Sequence, residues 1–402
     1  MAQILIKVHS LKNKKIAYLQ CVTCKKQYQA DEIKYTCSVC GPVHGTLDVI
    51  YDYRYVKKHL TKEHLHKSGE YSHWRYLPLL PVFDEQLIQP LKVGWTPLYH
   101  HKRINSKLKL PLLFLKDDSG NVTASYKDRA SSVAIVKALE EKYEGIGAAS
   151  SGNAGASIAA FAASAGLPCY IFVPETIPEP KLAQLQAYGA QTMLVKGTYD
   201  EAFDLCMKEC AKNNWFNRNT AINPYLAEGK KTGALEICEQ LNWDVPDLVF
   251  VPVGDGCILS GIWKGFKDLN EIGFIDRFPQ LIGVQAEGSA PLVEAYQKGL
   301  HEACEKNVST IADSICVGYP RDQVKALRAI HQSGGIFISV SDESIVASIR
   351  FLAENSGIFV EPAAAAAFAG MQLMLENEKI KSSQKIVVML TGSGLKDIRS
   401  IL

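Results

Sequence analysis

The sequence predicts an α/β fold in which mostly parallel, twisted sheets are flanked by helices, divided between two domains and preceded by a small N-terminal module. Three observations support this prediction. Apolar runs of strand length alternate with helical stretches over most of the chain. The 402 residues suffice for two domains and a small extra module. Residues 1–60 form a short, turn-rich stretch anchored by cysteines.

The elements alternate regularly beyond the first part of the chain. The predicted strands are buried apolar runs: Leu112–Leu115, Cys169–Val173, Thr192–Val195, Leu248–Val253, Leu281–Gln285, Ile336–Val340 and Lys385–Leu390. The predicted helices are rich in Ala, Leu, Lys and Glu: Ala130–Tyr143, Ala154–Ala165, Lys181–Tyr188, Gly229–Leu241, Glu343–Asn355 and Ala363–Glu376. Strands that alternate with helices are typical of βα units and a parallel sheet.

Composition excludes several classes of function. Hydrophobic residues make up 47% of the chain and charged residues 21%, and the formal net charge is +2. Nucleic-acid and membrane-surface binding need a concentrated positive field, which this balance does not supply. The sequence contains no apolar run of about 18 residues that could span a membrane, and its first residues lack the features of a secretory leader. We therefore expect a cytoplasmic protein that acts on a small molecule, with no nucleic-acid or membrane partner.

Four of the eleven cysteines follow the spacing Cys21-x2-Cys24-x12-Cys37-x2-Cys40. Two such CxxC pairs bring four thiolates within tetrahedral reach of one ion, which predicts a closed, structural zinc site. The alternative is four reduced cysteines without a metal. A redox role is disfavoured because there are two pairs and no helix clearly starts at either. The other cysteines are scattered, which fits a reducing compartment better than a disulfide framework.

Lys127, in the segment NVTASYKDRAS, is the candidate catalytic residue. Thr123 and Ser125 are good N-cap types ahead of a helix with an apolar face, which places Lys127 in the first helical turn. The partial positive charge of a helix N-terminus disfavours the ammonium form, and the neutral amine is the form that makes a Schiff base. Taken alone, a lysine in this setting is more often an ordinary surface residue.

Three turns after predicted strands offer groups that could hold an anion or a ring. Ser150–Gly155 provides hydroxyls, glycines and an amide at a helix start. Gly254–Gly256 lies between a strand and a helix, although its spacing matches neither GxGxxG nor a P-loop. Thr391 and Ser393 follow the last strand. Taken alone, the Ser150–Gly155 segment is equally compatible with an ordinary strand-to-helix turn. The Gly254–Gly256 turn alone is compatible with phosphate binding, and the Thr391 turn alone is better explained as an ordinary C-terminal turn. Because ligands of open α/β sheets bind at strand carboxyl ends, we expect these turns and Lys127 to converge.

Taken together, the motifs resemble those of a known superfamily. In order, residues 94–402 carry GWTPL, SYKDRAS, SSGNAG, EGKKT, VPVGDG, GVQAEG, GIFVEPAAAAA and TGSGLKD. This series resembles the fold type II pyridoxal-phosphate enzymes, the tryptophan synthase beta-like superfamily, and within them the threonine synthases. The resemblance implies pyridoxal 5'-phosphate as the cofactor and a homodimer. It also implies an N-terminal extension at 1–60, a large cofactor-binding domain at 61–143 and 236–402, and a small mobile substrate domain at 144–235.

The resemblance assigns roles residue by residue. Lys127 matches the Schiff-base lysine, and Asn153 matches the asparagine that hydrogen-bonds the cofactor's phenolic oxygen. Thr391 matches the residue that faces the pyridine nitrogen, where a hydroxyl leaves the ring a milder electron sink than a carboxylate does. The loop that cradles the cofactor phosphate corresponds to Gly254, Asp255, Gly256, Cys257 and Ile258. The loop that takes the substrate carboxylate corresponds to Ser150, Ser151 and Gly152.

The chain departs from the family pattern in three motifs. The chain has NVTASYKD where the family usually has NPTGSFKD, and Ser393 where it usually has histidine. Leu226 occupies the position at which threonine synthases often place an arginine for the substrate phosphate. Arg218, which we assign to substrate binding, and Lys230 or Lys231 are the candidates to replace that arginine.

The resemblance implies a lyase of threonine biosynthesis. It would convert O-phospho-L-homoserine and water to L-threonine and phosphate, with Lys127 as general base at Cα. Leu226 leaves other substrates open, such as phosphoserine in a β-replacement like that of cysteate synthase, or threonine or serine in an ammonia-lyase. The alternative from another class is a catalytically inactive homologue that binds the cofactor.

Overall fold

The computed structural model describes residues 15–177, 179–197, 199–219 and 221–398. The chain divides into two compact units. Unit 1 comprises the described residues up to Val93 and those from Lys127 to Thr232, and unit 2 comprises Gly94–Tyr126 and the described residues from Gly233 onward. The expectation that the chain starts without a leader concerns residues outside the described ones.

The elements of the described residues are numbered here in chain order. The strands are β1 (Ile16–Cys21), β2 (Gln27–Tyr28), β3 (Leu47–Tyr51), β4 (Leu98–Tyr99), β5 (Leu113–Asp117), β6 (Gly145–Ala149), β7 (Cys169–Pro174), β8 (Gln191–Val195), β9 (Trp215–Asn217), β10 (Leu248–Pro252), β11 (Gln280–Ala286), β12 (Ile336–Val340) and β13 (Ile386–Leu390). The α-helices are α1 (Gly41–His44), α2 (Tyr53–His59), α3 (Lys62–Lys67), α4 (Lys102–Leu108), α5 (Lys127–Glu140), α6 (Asn153–Ala165), α7 (Glu179–Ala187), α8 (Tyr199–Lys212), α9 (Tyr225–Lys230), α10 (Thr232–Gln240), α11 (Cys257–Glu271), α12 (Pro291–Gln297), α13 (Gln323–Ser333), α14 (Asp342–Ser356) and α15 (Pro362–Glu376).

Unit 2 is built on a six-stranded sheet of order β12-β11-β10-β13-β5-β4. All neighbouring strands are parallel except β4, which pairs antiparallel with β5 at the edge. The central strands are continuous apolar runs because helices cover both faces of such a sheet. The buried residues Ala363–Ala367 of α15 pack on β10, β11 and β13. Their small side chains let the helix approach the sheet closely.

Unit 1 contains a four-stranded parallel sheet of order β8-β7-β6-β9. Helices α5 and α6 pack on each other and enclose an apolar core that includes Ala134, Ile158 and Phe161. The cysteine-bearing module belongs to the same unit. It forms an antiparallel sheet of order β2-β1-β3. The predicted α/β class is therefore confirmed, and within the described residues no helix is long and apolar enough to cross a membrane.

The two units divide the chain at residues other than the predicted domain boundaries. Residues 61–93 and 127–143 lie in unit 1, whereas the sequence grouped them with the large domain. The reason is packing across the sequence: α5 lies against both α6 and α9. Sequence order does not reveal such contacts. The mobility of residues 144–235 stays a prediction.

One predicted helix is divided in the structure. The sequence predicts a single helix over Gly229–Leu241, but α9 ends at Lys230 and α10 begins at Thr232. The Thr232 hydroxyl donates to the Gly229 carbonyl at 2.7 Å. A threonine that bonds to the preceding turn in this way competes with the backbone ladder and bends helices.

Candidate active site

The first turn of interest in unit 2 joins β10 to α11. Gly256 is the N-cap of this 15-residue helix, and no side chain caps it. Gly256 has a φ of +93°, and a Cβ built on it would lie 2.6 Å from the Cβ of Ala326. Only glycine satisfies both conditions. The uncapped N–H groups and the helix dipole make this helix start receptive to an anion.

An acidic residue in a turn that is receptive to an anion needs an explanation, and the contacts of Asp255 provide one. Its Oδ1 accepts a hydrogen bond from the backbone N–H of Arg321 at 3.1 Å. Its carbonyl oxygen accepts one from the N–H of Asp322 at 3.1 Å. The acidic side chain is thus engaged with the 321–322 segment. After Gly256, Cys257 is buried and Ile258 is half-buried.

The second turn of unit 2 follows β13, the sheet neighbour of β10. The carbonyl of the buried Thr391 accepts a hydrogen bond from the N–H of Tyr126 at 2.8 Å. The N–H of Ser393 donates to the carbonyl of Ala124 at 3.0 Å. Lys396 Nζ donates to the carbonyl of Thr123 at 2.8 Å. Residues 123–126, which lead directly into the Lys127 helix, are therefore tied to the strand-end turn that carries Thr391.

Lys127 is the first residue of α5, slightly earlier than the predicted helix start at Ala130. Its side chain is half-buried. The hydroxyl of Ser125, two residues earlier, is buried, and among the described residues no group hydrogen-bonds to it. A buried polar atom without a protein partner fits a site that takes a polar ligand.

The SSGNAG segment lies in unit 1, between β6 and α6. Gly152 is the N-cap of this 13-residue helix and again no side chain caps it. The N–H of Gly152 bonds to the Ser150 hydroxyl at 3.3 Å. A Cβ built on Gly152 would meet no atom within 4 Å, so protein packing does not demand a glycine here. Asn153 follows as the first, buried residue of α6, while Ser151 is half-buried.

Arg218 follows β9, which neighbours β6 in the sheet. Its N–H donates to the carbonyl of Gly147 at 2.9 Å, and its Nη2 lies 3.4 Å from the hydroxyl of Ser131. Ser131 stands one helical turn after Lys127 on α5. The next residue, Asn219, accepts a hydrogen bond from the N–H of Ala149 through its Oδ1 at 2.7 Å. Unit 1 therefore places Arg218 beside the turn that follows Lys127 and beside the strand end that leads into the SSGNAG loop.

The sequence analysis did not identify Ser131 or Asn219, and it considered Ser125 only as a helix N-cap type. Helical spacing from Lys127 would have found Ser131, since residues four apart share a helix face. Asn219 is adjacent to Arg218 in the chain. The burial of Ser125 has no signal in the sequence.

The residues in and near the EGKKT motif have different roles: some pack in the core and others form a buried ion pair. Leu226 is buried in the apolar core of unit 1, so its side chain packs and offers no phosphate contact. Lys231 is fully buried and forms an ion pair with Glu228. Its charge is therefore already balanced, which argues against Lys231 as the replacement for the missing arginine. Lys230 is also buried.

The four N-terminal cysteines come together as the spacing predicts. Their sulfur atoms all lie within 4.8 Å of one another, and the Sγ atoms of Cys24 and Cys37 are 3.7 Å apart. Bonds of about 2.3 Å to a tetrahedral zinc ion separate sulfur atoms by about 3.8 Å. Four thiolate donors at this spacing fit zinc.

The surroundings of Cys37 favour its thiolate form. Burial opposes its ionisation, but hydrogen bonds from the Tyr28 hydroxyl and from backbone N–H groups outweigh burial and lower the pKa of Cys37 to about 6. The Tyr28 oxygen lies 3.0 Å from the Cys37 sulfur. The thiolate is the form that binds a metal.

Comparison with known proteins supports the same family as the motifs. Residues 90–392 match the family of pyridoxal-phosphate dependent enzymes. The threonine synthase of Methanocaldococcus jannaschii is 44% identical over 380 residues, which cover 94% of this chain and 92% of that protein. The threonine synthase of Methanosarcina acetivorans is 38% identical over 82% of this chain and 80% of its own length.

Solved structures agree at the level of the fold. An L-serine ammonia-lyase from the fungus Rhizomucor miehei superimposes with a TM-score of 0.65 at 23% identity, over 76% of this chain and 96% of that one. A pyridoxal 5'-phosphate-dependent aspartate racemase superimposes with a TM-score of 0.63 at 25% identity, over 76% of this chain and 91% of that one. The resemblance seen in the motifs is thus confirmed, and the chain belongs to the pyridoxal-phosphate dependent enzymes and, within them, to the threonine synthase family.

Proposed function

We propose that this chain converts O-phospho-L-homoserine and water to L-threonine and phosphate, with pyridoxal 5'-phosphate as its cofactor. The observation that carries the proposal is the 44% identity to a threonine synthase over 94% of the chain. Relatives of lower identity that bear the same name cover about four-fifths of the chain, as the 82% match of the Methanosarcina protein illustrates.

Groups suited to this cofactor are present in both units. Lys127 would hold it through Nζ, and Asn153 would bond its phenolic oxygen. The helix start at Gly254–Ile258 would bind its phosphate through backbone N–H groups, with the Asp255 side chain engaged elsewhere. Thr391 would face the ring nitrogen with a neutral hydroxyl. When bound, pyridoxal phosphate supplies an electron sink for bonds broken at the substrate's Cα and Cβ.

The chain's own residues would then bind the substrate and move protons. Ser150, Ser151 and Gly152 present hydroxyls and N–H groups to the substrate carboxylate, and the positive charge of Arg218 favours the substrate phosphate. The Lys127 amine takes the proton from Cα, and it then serves as acid and base at the neighbouring carbons as phosphate leaves Cγ and water adds at Cβ. Closure of the predicted small domain at 144–235 would keep out premature water.

A different substrate remains the second candidate, and two observations favour keeping it. Leu226 belongs to the core and Lys231 is neutralised by Glu228, so two of the positions considered for the substrate phosphate do not serve it. Threonine or serine in an ammonia-lyase reaction carries no phosphate and needs no such contact, whereas phosphoserine in a β-replacement would hold its phosphate one carbon nearer to Cα.

One experiment tests the activity and the role of Lys127 together. The purified protein is assayed for phosphate and ammonia release from phosphohomoserine, phosphoserine, threonine and serine. We expect threonine and phosphate from phosphohomoserine at the highest kcat/KM. We expect Lys127→Ala to lose both the visible absorbance of the bound cofactor and turnover, because the amine that holds the cofactor and moves the proton is gone.

The outcomes separate the alternatives. Faster turnover of another substrate would replace the proposed reaction. Cofactor absorbance without turnover of any substrate would indicate an inactive homologue. Normal turnover by Lys127→Ala would exclude the assigned base. Lys127→Arg is the matched control, since it keeps the charge without supplying a comparable amine.

Three further statements belong to the proposal. We propose one structural zinc ion per chain at Cys21, Cys24, Cys37 and Cys40, supported by the spacing of the four sulfur atoms. We also propose a homodimer and a cytoplasmic location, which the family resemblance and the abundance of free cysteines support.

A further inference from the structure

The cysteine module of unit 1 reaches the EGKKT segment through Tyr51, the last residue of β3. The Tyr51 side chain is buried, and its hydroxyl donates to Glu228 Oε2 at 2.8 Å. Glu228 lies on α9 and is also buried. The contact joins residues 177 positions apart in the chain.

The same tyrosine also contacts the cation of the buried pair. Lys231 Nζ forms the ion pair with Glu228 and lies 4.1 Å from the centroid of the Tyr51 ring. A buried ion pair is stable only when further contacts satisfy its remaining groups. Tyr51 provides two such contacts: a hydrogen bond to the anion and an aromatic face to the cation.

A second tyrosine of the module reaches the strand that leads to Arg218. The hydroxyl of Tyr35 accepts a hydrogen bond from the N–H of Asn217 at 2.9 Å. Its ring packs edge-on against Phe216, with ring centroids 6.5 Å apart. Asn217 is the last residue of β9, and Arg218 follows it.

Helix α9 is in turn packed against the start of the Lys127 helix. A Cβ built on Gly229 would lie 1.9 Å from the carbonyl oxygen of Arg129, so the two backbones touch. Arg129 Nη1 also donates to the Thr232 hydroxyl at 2.9 Å. Arg129 stands two residues after Lys127. A shift of α9 would therefore reach the turn that carries Lys127.

The two tyrosines differ in how they depend on the cysteine cluster. Tyr51 lies on β3, which pairs with β1 along its length. Tyr35 lies two residues before Cys37, in a stretch from Ala30 to Cys40 that forms neither helix nor strand. Without a regular backbone ladder, the position of this stretch depends on its anchors, and Cys37 is one of them.

We infer that the cysteine module is a positioning element of the active site, in which Tyr35 holds the Arg218 strand end and Tyr51 holds α9, and that a metal ion at the four cysteines keeps Tyr35 in place. Tyr35 and Tyr51 are positioning residues that act through Arg218 and through the Lys127 turn. The interpretation of a change in KM rests on the proposed function, because KM is measured with the proposed substrate. Hydrogen exchange in the Arg218 strand end and in α9 is measured without any substrate.

The first test uses single-atom substitutions in the cofactor-loaded enzyme. Tyr35→Phe and Tyr51→Phe each remove one hydroxyl and keep the ring. Hydrogen exchange is followed in peptides that cover 215–219 and 225–232, and kcat and KM are measured with phosphohomoserine. Tyr18→Phe is the control. Tyr18 lies on β1 of the same sheet and pairs with Ile50, so its side chain and that of Ile50 lie on one face of the sheet, and the side chain of Tyr51 lies on the other face.

The expected results differ between the two variants. Tyr35→Phe should speed exchange at 215–219, and Tyr51→Phe at 225–232, each by about tenfold, the effect of losing one buried hydrogen bond. KM should rise by a similar factor in Tyr35→Phe. Tyr18→Phe should match the wild type. Unchanged exchange in both tyrosine variants would overturn the proposal. Faster exchange with KM and kcat both unchanged would show a structural contact only and would also overturn it.

The second test removes the metal. The double variant Cys24→Ser/Cys40→Ser changes two ligands that are exposed or half-buried, and metal content is measured along with exchange. We expect loss of zinc and faster exchange at 215–219, with a smaller change at 225–232 and none in the unit 2 strands 248–252 and 386–390. Loss of zinc with wild-type exchange at 215–219 would overturn the metal dependence. If the unit 2 strands also exchange faster, the double variant is misfolded, and the test of the proposal is then the result for Tyr35→Phe and Tyr51→Phe. Failure of the proposed reaction would leave every exchange result interpretable.

Discussion

Ala124 is held in a left-handed backbone conformation, with a φ of +56°, three residues before Lys127. The related motif usually has glycine at this position, and the structure shows why. The carbonyl of Ala124 accepts from the N–H of Ser393, so the turn is part of the ladder that joins residues 123–126 to the Thr391 turn. A side chain at such a φ costs about 1–2 kcal/mol.

We predict that Ala124→Gly leaves activity intact and stabilises the protein slightly. Relief of the left-handed strain offsets the extra entropy that glycine loses on folding, which is about 0.5–1 kcal/mol. Ala163→Gly is the control: Ala163 is exposed in the last turn of α6, where glycine costs up to about 1 kcal/mol. Urea denaturation measures both. A loss of stability at 124 as large as that at 163 would contradict the prediction.

Lys15 is a buried lysine that directly precedes β1, the first strand of the cysteine module. Its Nζ donates to the carbonyls of Leu77, at 3.2 Å, and Val82. Burial lowers the pKa of Lys15 from its usual 10.5 to about 8, although Glu140 acts in the opposite direction. The folded chain therefore releases this proton at a lower pH than the unfolded chain does.

We predict that Lys15 makes stability rise with pH between about 8 and 10.5. In this window the unfolded state binds more protons, so the slope is positive and at most about 1.4 kcal/mol per pH unit. Below pH 8 the full cost of burying the charge is present. Lys15→Met should lose this component of the slope in urea denaturation at pH 8, 9 and 10. The exposed Lys57→Met should keep it. Equal slopes in wild type and Lys15→Met would refute the assignment.

At the scale of elements, two long helices begin in the same way. Helices α6 and α11 each begin at a glycine N-cap without a side-chain cap, and each follows the end of a parallel strand. Most helices receive a Ser, Thr, Asp or Asn cap, so an uncapped start leaves backbone N–H groups for a ligand. These are the helix starts to which we assign the substrate carboxylate and the cofactor phosphate.

We predict that Gly256→Ala weakens cofactor binding at least tenfold, by roughly 1.4 kcal/mol or more. The new Cβ would meet Ala326 at 2.6 Å and would also sit at a φ of +93°, which displaces the N–H groups of the turn. Gly273→Ala is the matched control, near the opposite end of α11. It also has a positive φ, +77°, but its Cβ would meet no atom within 4 Å. Cofactor titration of both variants gives the comparison. Equal affinities would show that the Gly256 turn does not bind the phosphate.

At the scale of the whole molecule, each unit has an apolar core of its own, and the chain passes between the units three times, after Val93, Tyr126 and Thr232. The residues assigned to the cofactor are present in both units. Lys127 and Asn153 belong to unit 1, and the Gly254–Ile258 turn and Thr391 belong to unit 2.

We predict that pyridoxal phosphate protects segments of both units from hydrogen exchange and raises the Tm. At a hundredfold excess over Kd the gain is about 2.7 kcal/mol. Peptides that cover 150–158 and 254–260 should both exchange more slowly. Inorganic phosphate is the control and should protect only the second. Protection confined to one unit by the cofactor would contradict the assignment of roles to the other.

The sequence predicted the features that depend on residues close together in the chain. Strand-length apolar runs predicted the positions of seven strands, and each appears within a few residues of its predicted bounds. Short strands such as β4 and β9 went unpredicted because two or three residues carry too little periodicity. The cysteine spacing predicted the cluster because four ligands on two tight turns need little help from the rest of the chain.

The sequence by itself determined the α/β class, the family, the cysteine cluster and the place of Lys127 at a helix start, because periodicity, caps and motif spacing act between near neighbours in the chain. Only the tertiary structure decided that Glu228 neutralises Lys231, that Leu226 packs in a core, and that Tyr51 and Tyr35 brace α9 and β9. The contacts of Tyr51 and Tyr35 join residues 177 and 182 positions apart. The energy of such contacts comes from burial and charge pairing that exist only once the chain has folded.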